Sequence, residues 1–193
     1  MIIKRKDWNN YLNKNILLEV YGKSRDNNSF LLGYMVADIE YCYIFQSIDE
    51  YGFIDGYILY QKNEIEKIEY NENYINTMNF NIHYLKERNW FDQLNLKKIY
   101  EQVSKDSIFS VLKYCRDNQF YVTLTQTRDD YVETGKIISV NSQKIVVDEK
   151  TYCKDFGITD DIRNTPIYIE NILTLEIINK ENFLYEQYLM QKN

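Results

Sequence analysis

Phe30-Leu31-Leu32-Gly33-Tyr34-Met35-Val36 and Val132-Glu133-Thr134-Gly135-Lys136-Ile137-Ile138 set a glycine at the same point of two largely apolar runs, 102 positions apart. Matches continue outward from this pair in the same order. Upstream, Asp7-Trp8-Asn9-Asn10-Tyr11-Leu12-Asn13-Lys14-Asn15 leads into Ile16-Leu17-Leu18-Glu19-Val20, as Phe109–Asn118 leads into Phe120-Tyr121-Val122-Thr123-Leu124. Tyr11 and Tyr114, and Asn15 and Asn118, are each 103 apart. Downstream, Ile48-Asp49-Glu50 answers Val147-Asp148-Glu149, and Ile65–Glu69 answers Ile172–Glu176. Glu72-Asn73-Tyr74 then answers Glu181-Asn182-Phe183. A shared order at a nearly constant offset is the mark of a repeated unit.

Each unit reads as a helix followed by short strands. Ile108, Val111, Leu112 and Cys115 fall at i, i+3, i+4 and i+7, one apolar helical face, with Asp106-Ser107 ahead as capping residues. Trp8, Tyr11 and Leu12 repeat that spacing after Asp7. Runs rich in Val, Ile, Tyr and Phe predict strands near 16–21, 31–39, 41–48, 56–61 and 65–70, then near 120–126, 132–140, 144–147, 167–170 and 172–178. Gly52 and Gly56 are read as turn glycines. Between the units Leu96, Ile99, Tyr100 and Val103 form a second apolar stripe, predicting a helix over 95–104 that must dock to bury it. Trp90 and Phe91 add large rings beside that helix.

Composition limits the function classes. The chain has 193 residues, 19 of them Tyr and 9 Phe, enough apolar bulk for a packed core. Lys and Arg number 23 against 29 Asp and Glu, a net charge of -6 that sets the wrong long-range field for nucleic acid or anionic lipid. No apolar run reaches the ~20 residues of a membrane helix, and no apolar segment follows the basic start. A cytoplasmic protein without membrane contact is expected. Cys42, Cys115 and Cys153 are far apart and odd in number, so buried reduced thiols are expected and no disulfide framework.

With these residues in view, each half resembles the Sm-like small-barrel fold, and Ile48-Asp49-Glu50-Tyr51-Gly52-Phe53-Ile54-Asp55-Gly56-Tyr57-Ile58-Leu59 is similar to a segment of uncharacterised bacterial proteins with Sm-like halves. The resemblance implies a mainly β chain with short helices (α+β): two tandem five-stranded Sm-like barrels, each preceded by a helix. The expected division is an N-terminal barrel over 1–80, a helical connector docked on the barrels over 81–106, and a C-terminal barrel over 107–193. Sm proteins read RNA with an Arg-Gly or similar step in a late loop. Lys62-Asn63-Glu64 and Arg163-Asn164-Thr165 lack it, so no RNA-binding residue is carried over.

Chemistry-bearing residues are sparse. His83 is the only histidine, which leaves no Ser-His or Cys-His pair with a obvious third member and no zinc set. Asp49, Glu50 and Asp55 make an acidic turn without EF-hand spacing, read as solvated. Lys4-Arg5-Lys6 and Lys97-Lys98 read as solvated basic clusters, and no glycine-rich phosphate loop is present. Catalytic residues, cofactors and metals are therefore expected to be none. Tyr41, Tyr43 and Phe45 alternate along one strand with Cys42 and Ile44 on the other side, so both faces need cover. Together with Tyr57, Trp90 and Phe91 they form the expected interaction surface. The expected function is a non-enzymatic protein-interaction or scaffold module, with a protein partner that includes the chain itself as monomer or homodimer. The alternatives are an acidic immunity-type inhibitor of a basic toxin and an RNA-binding Sm-like protein, nucleic acid ranking below protein.

Overall fold

The computed structural model describes residues 1–23, 29–70, 72–127, 129–158, 162 and 164–192. Its elements are β1 (Ile2–Ile3), a 3₁₀ helix (Arg5–Tyr11), β2 (Leu17–Gly22), β3 (Leu31–Ile39), β4 (Cys42–Ile48), β5 (Ile54–Gln61), β6 (Ile65–Glu69), α1 (Glu72–Glu87), α2 (Leu96–Glu101) and α3 (Ile108–Asp117). They continue as β7 (Tyr121–Gln126), β8 (Asp129–Val140), β9 (Lys144–Asp148), α4 (Lys150–Asp155), β10 (Ile167–Tyr168), β11 (Ile172–Asn179) and α5 (Lys180–Lys192).

The strands form one antiparallel sheet in the order β1-β6-β2-β3-β4-β5-β11-β7-β8-β9-β10. This corrects the expectation of two separate five-stranded barrels, each preceded by a helix: the sheet is single, eleven-stranded and open. The reason lies at its middle. β5 and β11 pair directly, Thr174 opposite Tyr60, Leu175 opposite Leu59 and Glu176 opposite Ile58. Each half thus satisfies a long strand edge with the other half and needs no closure upon itself. The outermost strands, β1 and β10, have two residues each, which leaves little edge for another chain to extend.

Within the sheet the halves run the same course. In each, the last strand pairs with the first, and the second and third follow, β6-β2-β3-β4 and β11-β7-β8-β9. Each last strand is entered through a short 3₁₀ turn, Lys62–Glu64 and Ile169–Asn171, and each runs into a helix, α1 or α5. The β3–β4 ladder bulges between Met35 and Ala37, and the β8–β9 ladder between Ile137 and Ser139. Such bulges bend a strand sharply. Gly33 and Gly135 sit just before them because the next strand passes too close for a side chain: a Cβ would lie 2.5 Å from the Gln46 carbonyl oxygen and 2.3 Å from that of Asp148. Pairing sets Phe45 opposite Met35 and Val147 opposite Ile137, so Val147 corresponds to Phe45 and not to Ile48.

The helical expectations divide. Ser107 caps α3 with its hydroxyl on the Ser110 amide, a reciprocal capping box, and Ile108, Val111, Leu112 and Cys115 are all buried. The Trp8 stripe forms a 3₁₀ helix instead, ended by Asn13 and Asn15, both in left-handed backbone. Gly52 turns with φ +99°, whereas Gly56 lies inside β5, where a Cβ would meet the Ile178 carbonyl oxygen at 2.3 Å.

One core runs through both halves. It joins Ile44, Tyr57 and Leu59 to Ile75 and Ile82 of α1, Leu96 and Tyr100 of α2, the α3 stripe, and Val122, Leu124, Val147 and Leu175. A second cluster, whose buried residues all come from the first half, packs Leu18, Val20, Met35, Tyr43, Phe45, Ile65 and Ile68 beneath Trp8, with Leu173 of β11 against it. Position 80 falls inside α1, and α2 is clamped to the first half by Tyr100 stacked on Tyr57 with ring centroids 3.8 Å apart.

Candidate functional site

The six aromatic residues singled out from sequence are divided by the fold. Tyr43 and Phe45 are buried, with Trp8 edge-on to Tyr43 at 6.5 Å and the Tyr43 hydroxyl donating to Asn9 Oδ1. Tyr41 is half-buried against the main core, on the side opposite its alternation partners. Tyr57 is covered by Tyr100. Phe91 is half-buried, lies under the Lys86 ammonium at 4.5 Å, and its carbonyl accepts from the Ile54 amide at 3.0 Å. Of the six, only Trp90 is exposed.

Other candidates resolve into structural roles. His83 is exposed on α1 beside Glu87 at 3.1 Å. Asp49 is far from solvated: its side chain is 7% exposed, Oδ1 accepts from the Tyr51 and Phe53 amides, and Oδ2 receives Lys180 at 2.7 Å. Lys180 also reaches Asp55 at 3.2 Å, so the turn of one half is tied to a helix of the other. Arg5 donates to Asn63 Oδ1 at 2.9 Å and lies over Trp8. The three cysteines are buried and unpaired, and burial pushes the Cys42 and Cys115 thiols up to about 12, far from the reactive thiolate. Arg163 lies outside the described residues. Among the described residues no three His, Cys, Asp or Glu side chains gather as a metal set.

Exposed rings occur in both halves, among them Tyr51, Phe80 and Tyr84, but a group of five rings in mutual contact gathers about α4 and α5, two of them, Phe156 and Tyr188, exposed. α5 leaves β11 without a loop, and its first turn is fixed by the Asn182 amide donating to Asn179 Oδ1 at 2.6 Å. The Asn182 side chain reaches β7, donating to the Tyr121 carbonyl and to Thr123 Oγ1. One turn later the Glu186 carboxylate accepts the Tyr121 amide at 2.7 Å. With α5 so anchored, Glu181, Leu184, Tyr185, Tyr188 and Lys192, at i, i+3, i+4, i+7 and i+11, share the face toward α4.

Between that face and α4 lies a shallow cavity, open to solvent, of about 390 Å³ lined by Asp155, Phe156, Glu181, Leu184, Tyr185 and Tyr188. Tyr185 is its floor: it lies edge-on to Tyr152 at 5.2 Å and to Tyr121 at 4.9 Å, and stacks with Tyr188 at 6.2 Å. Phe156 closes one side, 4.4 Å from Tyr152. Two carboxylates stand in the wall, each oriented by a phenol. Tyr185 donates to Asp155 Oδ2 at 3.1 Å, and Tyr152 donates to Glu181 Oε1 at 3.0 Å. Burial first, then the carboxylate hydrogen bond, pushes both phenols up, Tyr152 to about 12. Asp155 is held below the usual carboxylate range, chiefly by Lys192.

A stabilised phenol and a stabilised carboxylate do not make a base–nucleophile pair; they make a fixed anionic wall beside ring faces. Phe156, Leu184 and Tyr188 remain about half exposed around the cavity. On the other side of α5 a cleft of about 280 Å³ runs between α2, α3 and β11, with Glu186 inside it.

Sequence reasoning missed this face because Lys180–Lys192 was not read as helical. The available signal was the i, i+3, i+4, i+7 recurrence of Glu181, Leu184, Tyr185 and Tyr188, with Tyr152 and Phe156 four apart upstream. Among the described residues no helix is long and apolar enough to cross a membrane. The chain matches no known protein-family model, no curated protein and no solved structure. The fold and the α4–α5 face therefore define it as an open antiparallel β protein with a helical aromatic surface.

Proposed function

We propose that the chain is a non-enzymatic protein-binding module that engages a cationic protein through the α4–α5 face. The observation that carries this reading is the aromatic cavity with Asp155 and Glu181 in its wall, bordered by exposed Phe156, Leu184 and Tyr188. Stiff aromatic rings grouped with exposed aliphatics are the composition of binding hot spots. The carboxylates and the net charge of -6 select a basic partner and speed its approach. The scaffold reading and the acidic-inhibitor reading share this face and differ in what its partner does. RNA is the poorer fit, because the wall of the cavity carries the same charge sign as phosphate.

The test is binding of the full chain to cationic proteins isolated with it from its native cell, measured by calorimetry over a salt series. L184D combined with Y188D should weaken binding by at least about tenfold, the effect of losing hot-spot side chains. H83A, on exposed α1, should leave it unchanged. Equal affinity of the double variant and the parent chain would remove the α4–α5 face from the reading.

A further inference from the structure

A cation of the chain itself already rests against two residues of the cavity wall. Lys192, in the last turn of α5, places its ammonium 3.2 Å from Asp155 Oδ1 and 5.4 Å from the centre of the Tyr188 ring. The two sides of this ion pair are unequal. Asp155 is 16% exposed and its other oxygen is held by Tyr185, whereas the Lys192 side chain is 52% exposed on a flexible stem. The anion is built in and the cation is a loosely seated visitor. An exposed ammonium–carboxylate contact of this kind exchanges readily.

A cation entering from a partner would find more than Lys192 does. It would meet the Asp155 oxygen and the Tyr188 ring face, with Phe156 and Glu181 lining the same cavity, the combination of aromatic rings and carboxylate that retains ammonium and guanidinium groups. We infer that the α4–α5 cavity is a receptor for a lysine or arginine side chain of the partner, and that Lys192 is an intramolecular stand-in which the partner displaces. The inference rests on reading this face as protein-binding and adds the chemical group recognised and a built-in competitor for it. Charge complementarity alone would spread contacts over the acidic surface; the ordered Asp155–Tyr185 and Glu181–Tyr152 pairs concentrate them at one cavity.

The test titrates the full chain with Nα-acetyl-lysine amide and Nα-acetyl-arginine amide, following the tyrosine ring signals by NMR, with the norleucine analogue as an uncharged probe. K192M removes the stand-in at an exposed position and should tighten binding of the cationic probes by roughly threefold or more, the factor by which a self-occupied site reduces apparent affinity. D155N, which leaves an oxygen for Tyr185, should weaken the probes in both backgrounds and abolish the gain from K192M. The norleucine analogue should not shift the Tyr188 signals. Unchanged affinity in K192M overturns the stand-in, and absence of cationic-probe binding to K192M overturns the receptor. Either result leaves the protein-binding reading standing if L184D with Y188D still abolishes capture of the cationic protein, and that reading fails separately if it does not.

Discussion

The two halves follow one strand course and group their aromatic residues in different places. In the first half Trp8, Tyr43, Phe45 and Tyr60 turn inward and fill a cluster of their own beneath the 3₁₀ helix. In the second half no such cluster forms. The position of Phe45 is taken by the smaller Val147, which joins the common core, and the aromatic mass is displaced to Tyr152, Phe156, Tyr185 and Tyr188 on α4 and α5. A topology shared by two units therefore does not fix where their large side chains go. The first half gathers Trp8, Tyr43, Phe45 and Tyr60 into a buried cluster, and the second groups its rings about α4 and α5, with Tyr121 and Tyr185 buried and Phe156 and Tyr188 about half exposed.

The largest expected effect breaks this contrast directly. F45A deletes a ring with no solvent exposure and leaves a cavity among Met35, Tyr43 and Ile68, so it should cost about 3–5 kcal/mol of unfolding free energy. V147A, at the corresponding position, removes two methyl groups and should cost about 2 kcal/mol. F156A should cost less than about 1 kcal/mol, since its ring is already half in water. Urea denaturation of the three variants measures this; equal losses for F45A and F156A would erase the distinction between the buried Phe45 cluster and the half-exposed α4–α5 rings.

The next effect concerns the bond between the halves. K180M removes the ammonium that neutralises Asp49, whose side chain is nearly buried, and it should destabilise the whole chain by about 1–2 kcal/mol after allowance for the partial exposure of Lys180. Burial works against the Lys180 charge, but hydrogen bonds to Asp49 and Asp55 outweigh it and hold the pKa above its ordinary 10.5. The stabilisation from this shift is thus complete below about 10.5 and disappears as pH rises through the higher folded value. Melting curves of parent and K180M should converge in that alkaline window. A single cooperative transition in both proteins is expected because the core crosses the seam, and two separated transitions would show the halves melting independently.

These comparisons also mark how far the sequence could be read. Strand positions were legible because alternation and β-branched residues are local signals: β3 was placed at 31–39 and observed at Leu31–Ile39. The repeated glycine was legible because Gly33 and Gly135 each answer a strand crossing that admits no Cβ. The β5–β11 seam was not legible, since nothing local in Tyr57–Tyr60 or Thr174–Ile178 says which edges will meet across more than a hundred residues. α1 was hidden by its Asn-rich, weakly helix-forming sequence, although Ile75, Met78, Ile82 and Leu85 do form its buried stripe. The aromatic cavity stayed hidden with α5, because strand β11 passes into that helix without a Gly or Pro to punctuate it. Tyr43 and Phe45 were correctly seen to need cover, but sequence alternation cannot tell a ring buried by its own chain from one awaiting a partner.

A smaller effect sharpens the anchoring of α5 in the second half. Burial raises the Glu186 carboxyl pKa, while the Tyr121 amide and Lys136 work in the opposite direction. The unfolded chain loses this proton near 4.5 and the folded chain holds it to higher pH, so the contribution is present below 4.5 and lost as pH rises through the folded value. E186Q keeps an oxygen for the Tyr121 amide and cannot ionise. Its urea midpoint should therefore gain on that of the parent between pH 4 and pH 7, by less than K180M loses. A gap that stays constant over this range would mean that the carboxylate is as well solvated in α5 as in the unfolded chain.

The smallest effect is a matched pair of hydroxyl deletions at the α2 clamp. Tyr57 and Tyr100 stack with an interplanar angle of 8°, and either Tyr→Phe change preserves that stack. Their hydroxyls differ. The Tyr57 oxygen accepts from Gln46 Nε2, whereas the buried Tyr100 hydroxyl has no hydrogen-bond partner among the described residues. Y57F should therefore cost about 1 kcal/mol by leaving the Gln46 amide unmatched, and Y100F should be neutral or stabilising by up to about 1 kcal/mol. Opposite signs from two stacked rings of the same chemistry would show that the clamp holds α2 through ring contact and not through its hydroxyls. A loss on Y100F equal to that on Y57F would instead require the Tyr100 hydroxyl to be hydrogen-bonded in solution.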